Sequence, residues 1–599
     1  MAVKPIHLKK LLVVLVLICM GMVALLYWGS LEEIYRVKPR AARWSAWTWD
    51  CENEQCVRRV REQGELYIPL STCRMQCGPL PLWPMPLHIS DVKRQSVGFG
   101  QVRVEILAEG KHVPEMLKEA AQVFKQNLRA LLPEGTTARL GELVVVVKVA
   151  LPTYLLSLNT DESYTLNLTY LRAEITAKTF FGARHGLETL SQLVWWNDVS
   201  LRVFQRAYIK DRPQFRYRGV LLDTARNFIP VPSLLRTLDA LAASKLNVFH
   251  WHISDSQSFP FDSPRVPQMA RYGAYSLDKI YSADDIRHVV SYARVRGVRV
   301  LIEIDAPAHA GNGWQWGERH GMGNLSVCVN KQPWNSYCGE PPCGQLNPDN
   351  PHMYQVLGKL YQDLVELTNM TDMFHLGGDE VDLNCWASAL EDKRDPMAKW
   401  KYFQRKALMK LTAANKGKAP DAVVLWHSPF TRPENLNKKI HVVQTWGASN
   451  WGEEQTLLDK NIRIIISNLN YWYLDCGFGN WRGLGNGACG PMSSWQNVYQ
   501  HRPWVKFDRS LILGGEVCLW GEMMDENSLD MKLWPRAAAF AERIWSDTDT
   551  EQSIRDAHGR LAVHRDLLVS RGIRPDTMWP EWCSQNPYMC LDEFTSTLK

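Results

Sequence analysis

Residues 375–381 read HLGGDEV and place two acids, Asp379 and Glu380, side by side behind paired glycines. In an extended chain, neighbouring side chains point to opposite faces. Two adjacent carboxyls acting on one substrate must therefore approach it differently, one trading protons and the other orienting the substrate or stabilising charge. The bland alternative, a capped and solvated turn, sits poorly behind HLGG.

Other chemistry-bearing residues also follow apolar runs. In order they are Asp223 and Arg226, His252 and Asp255, Asp305 and His309, Trp426 with His427, Trp446, Tyr473 with Asp475, and Trp520 with Glu522. Taken singly, each has a structural explanation: His250 and His252 as hydrogen-bonded core residues, Asp305 as a loop anchor, Arg226 as a salt-bridge partner, the tryptophans as packing. Their recurrence at equivalent places favours a site. Indole faces cover the apolar C–H faces of a sugar ring while charged groups take its hydroxyls, so a carbohydrate pocket is expected. A Gly-rich phosphate loop, a dinucleotide fingerprint, an HExxH helix and a GxSxG elbow are all missing, which argues against the reactions those motifs serve. No cofactor and no metal is implied.

These residues need a common frame. From 216 onward apolar strands alternate with helices, the strands beginning near 216, 246, 298, 373, 422, 440, 462 and 511. Near-continuously apolar strands separated by helices indicate a parallel sheet covered on both faces. Eight of them over residues 216–599 suggest an α/β fold, a (β/α)8 TIM barrel, whose chemistry gathers at the carboxyl ends of its strands. Residues 81–215 read as a small α+β domain. VRVEILAEG and ELVVVVKVAL are strands around the helical PEMLKEAAQVFKQNLRALL, and RAEITAKTFFGARHGLETLSQLV is a strand then a helix. Residues 30–80 form a basic, disulfide-bearing stem.

Ahead of the stem, residues 11–29 are an uncharged apolar run of 19, near the roughly 20 residues a helix needs to cross a bilayer. With residues 1–10 as a cytosolic tail, a type II transmembrane signal anchor is expected, the catalytic part lying in the secretory-pathway lumen, at the Golgi or the cell surface. A cleaved leader and a soluble secreted form is the rival reading. The thirteen cysteines outside that run fall in local clusters without tight CxxC pairs, so disulfides are expected and not zinc. Pairing neighbours gives Cys476–Cys489 and Cys583–Cys590; Cys328–Cys385, Cys338–Cys343, Cys51–Cys77 and Cys56–Cys73 are expected beside them, with Cys518 free in a barrel strand. Asn167, Asn324 and Asn369 head glycosylation sequons. The formal charge of +6 is small for 599 residues and interspersed, so no nucleic-acid surface is implied. A homodimer is left open.

The runs RGVLLDTARNF, NVFHWHISDSQSFP, EIDAPAHAGN, HLGGDEV, NYWYLD and CLWGE resemble glycoside hydrolase family 20, the β-N-acetylhexosaminidases, over about residues 81–590. Within the family, the leader and NKQPWNSYCGEPPCGQLNP are similar to the insect branch, especially the "fused lobes" type of processing β-N-acetylglucosaminidase. The resemblance implies roles. Glu380 resembles the general acid that protonates the leaving oxygen and later deprotonates water. Asp379 resembles the group that holds the acetamido N–H and stabilises the oxazolinium intermediate, and Tyr473 the donor to the acetamido carbonyl oxygen. Trp426, Trp446 and Trp520 match walls around the acetamido methyl and the ring. Arg226, Glu522 and Asp475 match hydroxyl-binding groups, and Asp255 with His309 a relay that supports the acid. Burial that raises the proton affinity of Glu380 would suit it. One departure matters: chitin-degrading insect relatives carry Trp just before the cysteine equivalent to Cys489, and here that residue is Ala488. The expectation is therefore an exo-β-N-acetylglucosaminidase that trims terminal GlcNAc from N-glycans and glycoproteins, preferring the α1,3-mannose branch. The alternatives are a chitooligosaccharide-degrading hexosaminidase and a catalytically silent glycan-binding surface protein.

Overall fold

The computed structural model describes residues 45–133, 136, 141–391, 395–485, 489–548, 553–586 and 589–590. The expected anchor at 11–29 and Ala488 lie outside the described residues. Among those described, no helix is long and apolar enough to cross a membrane.

The first element is a hairpin, β1 (Trp47–Glu52) and β2 (Gln55–Val60), tied by Cys51–Cys77 and Cys56–Cys73 to the helix Leu70–Gln76 and its end. A seven-stranded sheet follows: β3 (His88–Phe99), β4 (Gln101–Ala108), β5 (Glu142–Val149), β6 (Tyr164–Thr169), β7 (Arg172–Ala177), β8 (Val194–Trp196) and β9 (Leu201–Asp211). Strands β4, β5 and β7 run parallel. The helix His112–Arg129 crosses from β4 to β5, and its Val113, Leu117, Ala120, Phe124 and Leu128 recur at helical spacing and are buried in the sheet's core. Sequence reasoning misses the antiparallel strands β3, β6 and β9. The HISDVKRQSVGF of β3 is half exposed and largely polar, so no apolar run announces it.

The barrel strands are β10 (Tyr217–Asp223), β11 (Val248–Ser254) and β12 (Arg299–Ile304), then, after a small pair β13 (Ser326–Val327) and β14 (Gln345–Leu346), β15 (Met373–His375), β16 (Ala422–Trp426), β17 (His441–Thr445), β18 (Arg463–Ile466) and β19 (Ile512–Leu519). Each barrel strand starts within two residues of its expected position. They pair in the order β12-β11-β10-β19-β18-β17-β16-β15. The end strands β12 and β15 face each other without a ladder, and the Gly378 N–H donates across this seam to Asp305 (2.9 Å). The run RIIISNLNYWYLD is not one strand, as sequence suggests: β18 stops at Ile466, and a single helical turn, Leu469–Trp472, carries the chain to Tyr473.

Alternation sorts the side chains of each strand. Along β11, Phe249, Trp251 and Ile253 join the core under the helices, while His250 and His252 face the barrel axis. The interior is apolar toward the amino ends of the strands. Above comes a buried polar layer that includes His250, Glu303, His375, Gln444 and Glu516. The small domain is locked to the barrel by buried pairs: Arg218 donates to Glu162 (2.6 and 3.0 Å) and Lys245 to Asp211 (3.0 Å).

Candidate active site

Strand β15 ends at His375, so Asp379 and Glu380 lie beyond it. Gly377, Gly378 and Glu380 have left-handed backbone, with φ of 67°, 108° and 47°. A tight left-handed loop therefore parts the two acids, and not the strand alternation that the sequence suggests. Glycine is required in it, because a Cβ on Gly377 would lie 1.8 Å from Asp305 Oδ1. Asp305 thus holds the loop, and its neighbour Glu380 accepts a conformation uncommon outside glycine.

The loop borders a cavity of about 260 Å³ at the carboxyl ends of the strands. Ligand cavities run from about 300 to 1,000 Å³, so this one suits a single sugar unit. Every residue to which the resemblance gives a role lines it except Trp426, and of the other strand-end candidates Asp305 does so while Asp223, His252 and His427 do not. Trp426 is buried beneath the floor, donates its Nε1–H to Glu303 (2.8 Å) and packs on Trp520 and His375. It supports the wall that the resemblance has it form. Trp446 is fixed by its bond to the His427 carbonyl (2.8 Å). Tyr473 packs beside Trp520, whose N–H donates to Asp475 (3.3 Å).

Asp255 contacts His309 through Oδ1 and Nδ1 (3.1 Å), and His309 Nε2 lies 3.3 Å from Glu380 Oε2. The His309 hydrogen bond outweighs burial and holds Glu380 below the usual carboxyl range in the empty site, opposite to the elevation that would suit an acid. Asp379 moves the other way, raised well above the usual range by burial and then by the charge of Asp305. Its Oδ1 is buried and has no hydrogen-bond partner among the described residues, an acceptor prepared for an N–H. The Glu380 side chain remains 37% exposed, open to a leaving group. Environments that push neighbouring carboxyls apart in proton affinity divide their roles.

Residues 215–548 match the glycosyl hydrolase family 20 catalytic domain, and residues 82–193 a beta-acetyl hexosaminidase like domain. The chain belongs to glycosyl hydrolase family 20. Its relatives include the probable beta-hexosaminidase fdl of Drosophila melanogaster, 41% identical over 603 residues and 91% of each chain. The chitooligosaccharidolytic β-N-acetylglucosaminidase of Ostrinia furnacalis is also 41% identical, over 92% of this chain and 96% of its own. Among solved structures, a Flavobacterium johnsoniae chitobiase superposes with a TM-score of 0.66 at 25% identity, over 82% of this chain and 73% of that one. This family 20 protein is a β-hexosaminidase, which sets aside the reading as a silent glycan-binding protein.

In this family 20 enzyme Arg226 is held by Asp223 (3.0 Å), Asp255 (3.0 Å) and Glu340 (2.9 Å). Sequence reasoning misses Glu340, although an acid inside the short loop closed by Cys338–Cys343 was a usable signal. In that loop a Cβ on Gly339 would lie 2.5 Å from Glu380 Oε2. Burial pushes Glu522 up to about 8 and Asp475 up to about 6, so both neutral forms are within reach for bonding sugar hydroxyls. The structure joins all six expected cysteine pairs and leaves Cys518 buried and free. Asn167, Asn324 and Asn369 are exposed. Groups close enough to share a metal ion, such as His250, Glu303 and His375, are already engaged with one another, Trp426 and Gly377.

Proposed function

We propose that this hexosaminidase removes single terminal GlcNAc residues from N-glycans by a substrate-assisted, retaining mechanism. The observation that carries it is the divided acid pair: Glu380 opens on the cleft beside His309, and Asp379 offers a buried, unpartnered oxygen. Asp379 accepts the acetamido N–H and turns the carbonyl oxygen onto the anomeric carbon, while Tyr473 donates to that oxygen. The positive charge that develops on the oxazolinium favours ionised Asp379. Glu380, protonated by way of His309, gives its proton to the leaving oxygen, then takes one from the water that opens the oxazolinium ring. Trp446 and Trp520 cover the ring, and Arg226, Glu522 and Asp475 take its hydroxyls. A thiazoline analogue of the intermediate should inhibit competitively, and a hydroxyl in place of the acetamido group should nearly abolish cleavage. Isolation of a covalent sugar–Asp379 adduct would refute the mechanism.

The N-glycan preference rests on Ala488. Without an indole there, a linear chitooligomer loses a stacking contact worth about 0.5–1.5 kcal/mol, roughly a tenfold effect, and a branched mannose core gains room. The α1,3-mannose arm is the one we expect to be trimmed. The second reading, chitooligosaccharide degradation, is favoured by the names of relatives as similar as fdl. Rates on a GlcNAc-terminated biantennary glycan and on chitotriose decide between the two. Faster glycan trimming supports processing, faster chitotriose cleavage replaces it with the second reading, and Ala488→Trp should shift the ratio toward chitotriose. A lumenal catalytic domain behind an anchor at 11–29 is proposed from the apolar leader, the disulfides and the exposed sequons.

A further inference from the structure

Beneath the cleft, acids and imidazoles alternate in a series of close contacts. Glu516 meets His250 Nδ1 (2.8 Å), and His250 Nε2 forms an ion pair with Glu303 (3.0 Å). Glu303 then meets His252 Nδ1 (2.8 Å), His252 Nε2 meets Asp255 Oδ2 (2.9 Å), and Asp255 Oδ1 meets His309 (3.1 Å), which reaches Glu380 (3.3 Å). From Glu516 through Asp255 the series is buried. Each of the three rings has a carboxyl oxygen within 3.3 Å of both nitrogens. His252 hydrogen-bonds a carboxyl through each nitrogen (2.8 and 2.9 Å), whereas His250 does so through Nδ1 alone, its Nε2 lying beside Glu303 without hydrogen-bond geometry. A neutral imidazole has one N–H, so His252 serves both of its carboxyls only as the imidazolium. Three imidazoliums among four carboxylates leave one net negative charge, faced by Arg226, 3.0 Å from Asp255, which Asp223 and Glu340 also share.

The surroundings favour that state. Burial opposes the charge on His250, but Glu516 and Glu303 outweigh it and hold the ring up to about 9. The same contest, won by Glu303 and Asp255, holds His252 well above its ordinary range, with Asp223 adding to it. Asp255, Glu380 and Asp305 do so for His309. Glu303 also faces His375 (3.2 Å) and the Trp426 N–H, while Glu516 faces Tyr217 (2.5 Å) and Gln444 (2.7 Å). The free thiol of Cys518 lies within the field of Glu516 and stays protonated through burial. Around Glu380 itself stand His309, Arg226, Asp255 and Asp379.

We propose that Glu303 and His252 are positioning residues for the acid. They hold one oxygen of Asp255, leave the other for His309, and fix the buried charge that sets how tightly Glu380 keeps its proton. The proposal rests on Glu380 being the general acid.

The test is the pH profile of kcat/KM for the parent, His252→Gln and Glu303→Gln. Removing the cation at 252 should tighten proton binding at Glu380 and move the basic limb up. Removing the anion at 303 should loosen it and move the limb down. Each shift is on the order of one pH unit for a unit charge roughly 10 Å away at an effective dielectric constant near 20. A purely structural role lowers activity with the limb unmoved, or moved the same way in both variants, and either result overturns the proposal. Should a variant fail to fold, nitrogen NMR of ¹⁵N-histidine-labelled parent enzyme decides: three rings doubly protonated at about pH 8 are expected, and their absence overturns it. Near-normal hydrolysis by Glu380→Gln would instead remove the underlying acid assignment, so the two failures are told apart.

Discussion

The barrel interior has two levels built from the same strands. Toward the amino ends, Val248, Leu301, Met373, Val424 and Val442 belong to an apolar plug. Two residues further along each of those strands stand His250, Glu303, His375, Trp426 and Gln444. A period of two keeps both sets on the barrel axis, so only the chemistry changes between levels. The plug is stable because it leaves water. The upper level is costly to bury and persists because its members pair with one another. The lower level holds the fold, and the upper level holds charge for the cleft above it.

The largest break in that comparison should come at the top of the upper level. Glu380→Gln should lower kcat by about 10²- to 10⁴-fold, the scale of general-acid loss, while the melting temperature barely moves because the side chain is 37% exposed. Near-normal hydrolysis would remove the acid assignment. A plug substitution should do the reverse. Leu301→Ala should cost about 2–5 kcal/mol in denaturant unfolding and leave the pH profile of kcat/KM where it was. A displaced profile in that variant would mean that the levels are not separate.

Much of the lower level was legible in the sequence, because continuous apolar strands announce a parallel sheet wherever they fall. The cleft was legible too, since Asp223, Asp305, Trp446 and Trp520 each stand at or just beyond the end of such a strand. The upper level was not. Glu303 and Glu516 interrupt apolar strands by a single residue, and the imidazoles that justify them lie 51 and 266 positions away. Spacing within one strand carries no sign of that pairing. The left-handed turn at Glu380 was hidden for a different reason. HLGG announces a flexible turn, but the φ of 47° falls on the glutamate, which tertiary contacts impose and local preference opposes. In the small domain, β3 stayed invisible because its polar, half-exposed face resembles a loop.

The last expected effect tests the border of the charged level. Asp305 follows β12 directly and accepts the Gly378 N–H (2.9 Å), yet burial raises it from an ordinary 3.8 to about 7. Between those two values the folded carboxyl keeps a proton that the unfolded chain has released. The native state then binds more protons than the unfolded one, so this residue makes stability fall as pH rises through the window and become constant above it. Asparagine keeps an acceptor for Gly378 and has no proton to lose. Relative to the parent, Asp305→Asn should therefore gain stability steadily from about pH 4 to about pH 7 and no further, read from urea midpoints across that range. Leu301→Ala should show a difference that is flat with pH over the same interval, because no proton is linked to a methylene group. A flat difference for Asp305→Asn as well would place Asp305 among the members ionised across that range, and the boundary between them and a carboxyl that keeps its proton until about pH 7 would be lost.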